Sequence, residues 1–209
     1  MTKIKICGIT NLDDALAAAD LGVDFLGFVF SEKSPRQIKI KNAIAIIKSL
    51  PSSVSTVGLF VDQEELAVKM IFDKCRLDYF QFHGGESPGY CKRIKEKGKV
   101  IKAFRIKGEQ SIEDLANYDV EMYLLDAYNE DKFGGTGAVF NWDLAVKAKK
   151  YDRPIIIAGG LNPENVARAL QKVRPYGVDV SSGVEKSPGK KDAQLMKKFI
   201  QQVRSAGGN

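Results

Sequence analysis

Short apolar runs and longer amphipathic stretches alternate along the whole chain. Eight of the runs are rich in β-branched and aromatic residues and are apolar at consecutive positions, which predicts strands at residues 4–8, 25–30, 56–61, 79–82, 100–104, 122–126, 155–158 and 178–180. Strands that lack a polar face are typical of a parallel sheet covered on both sides by helices. The pattern therefore indicates an α/β protein.

The stretches between the runs repeat apolar residues at helical spacing, which predicts helices at residues 12–21, 40–50, 64–75, 88–97, 112–118, 142–150, 166–173 and 192–204. Residues with known capping preferences mark some of the helix ends. Asn11 precedes the first helix and Gly22 follows it, while Asn162 and Pro163 are suited to open the seventh.

Eight strand–helix pairs within 209 residues predict a (β/α)8 barrel, near the small end of the size range of that fold. No linker or change in composition divides the chain, so we expect a single domain over residues 1–209. The alternative is an open doubly wound sheet, which normally has fewer strands and a glycine-rich dinucleotide loop after the first strand. No G-x-G-x-x-G sequence is present.

Composition excludes several classes of protein. The chain is 44% apolar and 28% charged, as in ordinary globular domains, which excludes disordered, collagen-like and disulfide-rich proteins. Its longest apolar runs fall far short of the roughly 20 residues of a membrane span, and no export signal is visible, so we expect a cytoplasmic protein without a membrane partner. Three cysteines without metal-binding spacing and one histidine, His83, argue against a metal site.

The net charge of +6 is compatible with a nucleic acid or with an anionic metabolite as partner. The densest lysine clusters have apolar residues interleaved at helical spacing, so we interpret them as solvated helix faces and expect no nucleic-acid partner. These clusters are Lys147, Lys149 and Lys150; Lys190 and Lys191; and Lys197 and Lys198.

Candidate chemistry lies at the carboxyl ends of the strands, where barrels of this kind carry their active sites. Cys7 ends the first strand and Asp126 the sixth, so the two arrive at one face from nearly opposite sides and suit a proton-transferring isomerisation. The thiol would need a lowered pKa, which positive surroundings would provide. Position alone is also compatible with roles outside catalysis. Cys7 is then a small buried apolar residue, and Asp126 caps the loop that follows its strand. Cys75 and Cys91 lie in helical patterns and are expected to be buried.

A phosphate site is expected at the ends of strands seven and eight. Gly159 and Gly160 follow strand seven, and strand eight ends in a run that contributes Asp179, Ser181, Ser182 and Gly183. Glycines let backbone N–H groups approach a phosphate closely. Each segment alone is equally consistent with a tight turn, but two such segments on adjacent strands favour an anionic ligand.

Three further positions complete the candidate site. Arg36 follows the second strand, where its guanidinium either grips a carboxylate or lies solvated at the surface. His83 follows the fourth strand and either faces the site or orients its loop. The connection between Asp126 and Trp142 is unusually long and contains Gly135, which favours a loop that covers the substrate.

The sequence motifs in this order resemble the phosphoribosylanthranilate isomerase family of tryptophan biosynthesis along essentially the whole chain. They are Lys-Ile-Cys-Gly-Ile-Thr at residues 5–10, Phe-Gln-Phe-His-Gly at 80–84, Leu-Leu-Asp at 124–126, Gly-Gly-Thr-Gly at 134–137, Ala-Gly-Gly-Leu-Asn-Pro-Glu-Asn at 158–165, Val-Asp-Val-Ser-Ser-Gly-Val-Glu at 178–185 and Ser-Pro-Gly-Lys at 187–190. One departure is Phe82, where the family often has leucine.

The resemblance implies a cofactor-free Amadori rearrangement of N-(5-phosphoribosyl)anthranilate to 1-(2-carboxyphenylamino)-1-deoxyribulose 5-phosphate. It implies that Cys7 is the general base, that Asp126 is the general acid and that Arg36 contacts the anthranilate carboxylate. The expected partner is thus a small phosphorylated molecule, bound by a monomer or homodimer.

Three other functions remain as alternatives at this point. The sugar isomerase of histidine biosynthesis carries out the same rearrangement, but with an aspartate at the position of Cys7 and two phosphate sites. Indoleglycerol-phosphate synthase is expected to place a catalytic lysine on strand one or three. Lys5 lies on strand one, two residues before Cys7, so this alternative is disfavoured by the overall motif match more than by that lysine. A phosphate-binding module without catalysis would need neither Cys7 nor Asp126.

Overall fold

The structure, a computed structural model, describes residues 1–127 and 141–207. Its centre is a closed barrel of eight parallel strands in sequence order, so the (β/α)8 prediction is confirmed and the open sheet is wrong. The strands are β1 (Lys3–Cys7), β2 (Phe25–Val29), β3 (Ser55–Phe60), β4 (Tyr79–Phe82), β5 (Lys99–Ile106), β6 (Met122–Ala127), β7 (Ile155–Ile157) and β8 (Gly177–Val180).

Strand β1 closes the barrel by pairing with β2 on one side and β8 on the other. Ile6 is opposite Leu26 in β2 and opposite Val180 in β8. Because side chains alternate along a strand, one set of residues packs inside the barrel and the other set packs under the helices. The inner set includes Phe25, Val57, Ile101, Ala103, Met122, Leu124, Ile156 and Ala158.

Within residues 1–127 and 141–207, eight helices cover the outside of the barrel, and their apolar faces form the larger core. They are α1 (Leu12–Asp20), α2 (Ile40–Lys48), α3 (Glu65–Cys75), α4 (Pro88–Lys95), α5 (Glu109–Glu113), α6 (Trp142–Ala148), α7 (Val166–Val173) and α8 (Ala193–Ala206). Cys75 and Cys91 are buried in α3 and α4, as expected.

The helix ends agree with the sequence patterns in part. The Asn11 side chain accepts a hydrogen bond from the Asp14 backbone N–H, and Gly22 has a φ of 77°, so the caps of α1 are confirmed. Helix α7 instead has Asn165 as its N-cap residue. The Asn162 side chain accepts from two backbone N–H groups in the turn just before that helix, so its predicted role as cap was one turn early.

Two short elements were missed or misplaced from sequence. Helix α5 begins at Glu109 and continues as a 3₁₀ turn over Asp114–Asn117, whereas the pattern predicts a helix over residues 112–118. After β8, a 3₁₀ turn at Ser182–Val184 leads into an antiparallel hairpin of β9 (Glu185–Ser187) and β10 (Lys190–Lys191).

The interpretation of the lysine clusters as solvated holds for two of them and is wrong for the third. Lys147 and Lys150 make surface ion pairs with Glu109 and Glu113, and Lys197 and Lys198 are exposed. The Lys191 side chain is 0% exposed and pairs with Glu185 at 2.8 Å. Its burial is possible because the hairpin folds against the end of β1, a contact that helical periodicity does not reveal.

Candidate active site

One pocket opens at the carboxyl ends of the barrel strands and collects most of the predicted site residues. It is lined by Cys7, Arg36, His83, Asp126, Gly159, Gly160, Asp179, Ser181 and Ser182, among others. Gly183 lies directly behind Ser182 in the 3₁₀ turn rather than in the lining. Gly135 and most of the long loop before Trp142 lie outside the described residues.

One side of the pocket is formed by the carboxyl ends of β4 and β6. His83 Nε2 lies 3.0 Å from the Asp126 carboxylate, and His83 Nδ1 lies 3.2 Å from the amide nitrogen of Gln81. An amide nitrogen only donates, so in this arrangement Nδ1 accepts and Nε2 carries the proton that is donated to Asp126. His83 therefore faces the site and fixes one oxygen of the carboxylate.

The other side of the pocket is formed by the carboxyl ends of β1 and β8. Cys7 is 5% exposed, and Lys5, two residues earlier on the same face of β1, is 1% exposed. The Lys5 ammonium lies 3.0 Å from the Asp179 carboxylate on β8. A buried charge this deep is tolerable only when it is paired, and the ion pair meets that condition.

Electrostatics at Cys7 differ from the sequence-based expectation. Burial raises the pKa of the Cys7 thiol above its ordinary value, and the nearby Asp179 carboxylate adds to that increase. The ammonium groups of Lys5 and Lys191 act in the opposite direction without cancelling the burial effect. The expected net lowering of this pKa is thus wrong, because the thiol lies deeper in the barrel than its position at a strand end suggests.

Arg36 is held by a second buried network. Its Nε and Nη2 donate to the two oxygens of Glu185 at 2.9 and 2.7 Å, which is a bidentate pair. Lys191 also contacts Glu185 and donates to the Cys7 backbone carbonyl oxygen at 2.5 Å. Although burial opposes it, this pairing with two cations lowers the pKa of Glu185 below its ordinary value. The network joins the arginine at the pocket wall to the strand that carries Cys7.

The loops after β7 and β8 have the backbone geometry that the phosphate interpretation requires. Gly159 and Gly160 have φ angles of 79° and 65°, a region that favours glycine. A side chain at Gly183 would overlap the carbonyl oxygen of Leu161. The two loops therefore pack backbone against backbone beside the pocket. The Asn165 side-chain amide stabilises the loop after β7 by donating a hydrogen bond to the Gly160 carbonyl oxygen at 2.8 Å.

Sequence reasoning missed several residues that contact the site residues described above, among them Lys5, Gln81, Glu185 and Lys191. A signal existed for the first two, since a lysine or glutamine inside an apolar strand is unusual and needs a partner. Glu185 and Lys191 lie in a polar segment after β8, where nothing in the local pattern indicates burial.

The described residues contain no group of three or more histidine, cysteine, aspartate or glutamate side chains arranged to hold a metal ion. Within the same part of the chain, every helix is too short or too polar to cross a membrane.

Fold and site together define a class: a (β/α)8-barrel protein with a thiol, a carboxylate and an arginine around one pocket, next to two glycine-containing loops. The family model described as N-(5'phosphoribosyl)anthranilate (PRA) isomerase matches residues 4–202. The chain belongs to this family and is an isomerase of tryptophan biosynthesis. The main interpretation of the sequence is thereby supported over its three alternatives.

Relatives with this name are similar over nearly the full length. The N-(5'-phosphoribosyl)anthranilate isomerase of Geobacter sp. (strain M21) is 53% identical over 204 residues, covering 98% of each chain. Two solved structures are each 40% identical and cover 98% of this chain and 100% of their own. One is a phosphoribosyl anthranilate isomerase in complex with reduced 1-(o-carboxyphenylamino)-1-deoxyribulose 5-phosphate (TM-score 0.90), and the other shows monomers generated from the dimeric enzyme of Thermotoga maritima (TM-score 0.89).

Proposed function

We propose that this pocket carries out the Amadori rearrangement of N-(5-phosphoribosyl)anthranilate with Cys7 as general base and Asp126 as general acid. The observation that carries the proposal is that a buried thiol and a histidine-held carboxylate line one pocket from different sides of the barrel. An aldose-to-ketose isomerisation needs one proton delivered and one removed, which these two groups supply.

The first step is opening of the sugar ring. Protonated Asp126 gives its proton to the furanose ring oxygen, the C1–O bond breaks, and the nitrogen lone pair forms a Schiff base at C1. His83, at 3.0 Å from one Asp126 oxygen, keeps the carboxyl group oriented during this transfer. Positive charge on the Schiff base makes the proton on C2 acidic.

The second step is removal of that C2 proton by the Cys7 thiolate. The electron pair of the C–H bond moves into the C1–C2 bond and neutralises the nitrogen, which gives an enolamine. Protonation at C1 and loss of the proton of the C2 hydroxyl group then yield the ketone. The substrate gains two protons, at the ring oxygen and C1, and loses two, from C2 and its hydroxyl group, so the number of protons is unchanged. Acid and base each contribute about 10² to 10⁴ to the rate in enzymes of this type.

Binding is divided between the two ends of the substrate. The phosphate is assigned to the loops at Gly159, Gly160, Ser181, Ser182 and Gly183, whose backbone lies beside the pocket. The anthranilate carboxylate is assigned to Arg36. Since Glu185 occupies the Nε and Nη2 edge of that guanidinium, the substrate would be met by Nη1 and the remaining N–H of Nη2.

The proposal also covers the domain organisation, cellular location and assembly of the protein. Residues 1–209 would fold as one domain and act in the cytoplasm without a nucleic-acid partner. A monomer or a homodimer is the proposed assembly, and the dimeric relative of Thermotoga maritima supports the second form.

The test is a turnover assay that follows the fluorescence of freshly made phosphoribosylanthranilate in buffer with excess chelator. We expect the rate of fluorescence decay to be proportional to the enzyme concentration. Unchanged decay with and without protein would contradict the function, and strict dependence on an added divalent ion would contradict the acid–base mechanism.

The phosphate assignment has its own test. Replacing Gly183 with alanine should raise KM strongly, because the new side chain would displace the loop against Leu161. The matched control is Gly108→Ala, at a position with extended backbone and open space. Inorganic phosphate should compete with the substrate for binding to the parent enzyme. Absence of competition would contradict the assignment of the phosphate site to these loops.

A further inference from the structure

Lys5 is a charged residue inside an otherwise apolar stretch of barrel wall, directly below Cys7. It is 1% exposed, and its neighbours Ile4 and Ile6 belong to the outer core. Moving a lysine ammonium from water into a protein interior costs several kcal/mol even after relaxation. Asp179 offsets part of that cost at 3.0 Å. An apolar residue at this position would avoid the cost altogether, so the ion pair calls for an explanation other than stability.

Gly27 on β2 shows what the ammonium faces. It pairs with Cys7 across the β1–β2 ladder. A Cβ placed on Gly27 would lie 2.7 Å from the Cys7 sulfur and 3.0 Å from Lys5 Nζ. The sulfur and the ammonium therefore border the same small space, and glycine is the residue that leaves this space open.

We propose that Lys5 is a positioning residue for catalysis: its ammonium, anchored by Asp179, faces the sulfur of Cys7 and stabilises the thiolate that removes the substrate proton. This inference rests on the proposed role of Cys7 as base. It assigns Asp179 a second part, as the anchor of the lysine, in addition to its place in the pocket lining.

The charges around Cys7 are of both signs and come from three strands. Lys5 lies on β1 itself, Asp179 on β8 and Lys191 on β10, while Arg36 and Glu185 follow through the second network. The Lys5 and Lys191 ammonium groups favour the thiolate, and the Asp179 carboxylate disfavours it. Cys7 and Asp179 in turn raise the pKa of Lys5 despite the effect of burial, so the lysine stays charged. In Asp179→Asn the amide oxygen still accepts a hydrogen bond from the Lys5 ammonium, so the variant removes the negative charge while the lysine stays in place. Its effect on the thiol should therefore be opposite to that of removing Lys5.

The experiment measures the rate of Cys7 alkylation by iodoacetamide as a function of pH, with the labelled residue identified by mass spectrometry. In Lys5→Met the midpoint should move up, and in Asp179→Asn it should move down, each by about 1 to 3 pH units, the range that one nearby charge produces. The matched control is Lys3→Met, on the same strand, where the lysine pairs with Asp24 and is 44% exposed. Its midpoint should equal that of the parent enzyme.

The rescue variant is Lys5→Arg, which keeps the positive charge and should return the midpoint toward the parent value. Turnover by Lys5→Met should be low at neutral pH and recover as pH rises, with KM little changed. If the midpoint stays in place or moves down in folded Lys5→Met, the role of Lys5 is structural. Should Lys5→Met fail to fold, Lys5→Gln, which keeps a polar side chain without the charge, decides instead, and an unchanged midpoint in that variant overturns the proposal.

This readout is independent of turnover, so it separates two failures. Opposite shifts in a protein that does not consume phosphoribosylanthranilate would leave the electrostatic pair intact and contradict the proposed function. Turnover of phosphoribosylanthranilate without opposite shifts would support the proposed function and contradict the role of Lys5.

Discussion

The two sides of the pocket are built on opposite principles. On the β1–β8 side, Cys7 and Lys5 are almost fully buried and lie among paired charges. On the β4–β6 side, His83 and Asp126 keep 18% and 16% of their side chains exposed and are joined by one hydrogen bond. A base that is shielded from water depends on its fixed neighbours for its charge state. An acid near the opening can recover its proton from solvent after each turnover.

The largest effect should follow from loss of the base. Cys7→Ser should lower kcat by about 10³ to 10⁴, because a serine hydroxyl is far less acidic than a thiol and cannot form the anion that removes the C2 proton. Steady-state kinetics against Cys91→Ala, a buried cysteine outside the pocket, provides the comparison. If the serine variant kept more than half of the parent kcat, Cys7 would be a packing residue.

Breaking the charge network on the same side should cost stability rather than chemistry alone. Glu185→Gln leaves Arg36 and Lys191 without their shared carboxylate, and removing one partner of a buried ion pair costs about 3 to 5 kcal/mol. Urea unfolding measures the loss, with Glu109→Gln at an exposed ion pair as control, where little or no change in stability is expected.

The pH dependence of stability also tests whether the Glu185 network stabilises the fold. The pKa of Glu185 is lowered in the folded protein, so its stabilising effect is complete above the ordinary glutamate pKa and disappears as pH falls through the folded value. Stability of the parent protein should therefore fall more steeply with acid than that of Glu185→Gln. Parallel acid profiles for the two proteins would mean that the network contributes little.

On the more open side, Asp126→Asn should lower kcat by about 10² to 10³, less than the loss of the base, because His83 stays in place as a second proton donor. The same variant should leave binding of a product analogue nearly unchanged, which equilibrium titration can establish. A loss of binding as large as the loss of kcat would make Asp126 a binding residue instead.

The smallest effect is expected for His83→Ala. It removes one hydrogen bond to Asp126, and a net contribution of about 0.5 to 1.5 kcal/mol corresponds to at most about tenfold in kcat. The double variant with Asp126→Asn distinguishes orientation from proton donation. If His83 acts only by orienting Asp126, its removal from the Asp126→Asn protein should change nothing further.

How far sequence reasoning succeeded depends on the range of the contacts involved. The strands were predictable because each is apolar at consecutive positions, and Cys7 and Asp126 were candidates because each ends a strand. Lys191 was misinterpreted because its burial depends on Asp14 and the Cys7 carbonyl oxygen, both more than 170 positions away. The Arg36–Glu185 pair spans 149 positions, and no local pattern indicates such a partner.

Closure of the barrel by β1 and β8 also has a consequence for synthesis of the protein. Cys7 is synthesised long before Asp179 and Lys191, from which it is separated by most of the barrel. Until then β1 has one unpaired edge, and the lysine beneath the thiol has no carboxylate to hold it. A chain interrupted before residue 177 would expose that edge to aggregation and would hold none of the charges from β8 and β10 that surround the base. The surroundings of Cys7 are thus assembled only after β8 and β10 have been added to the chain.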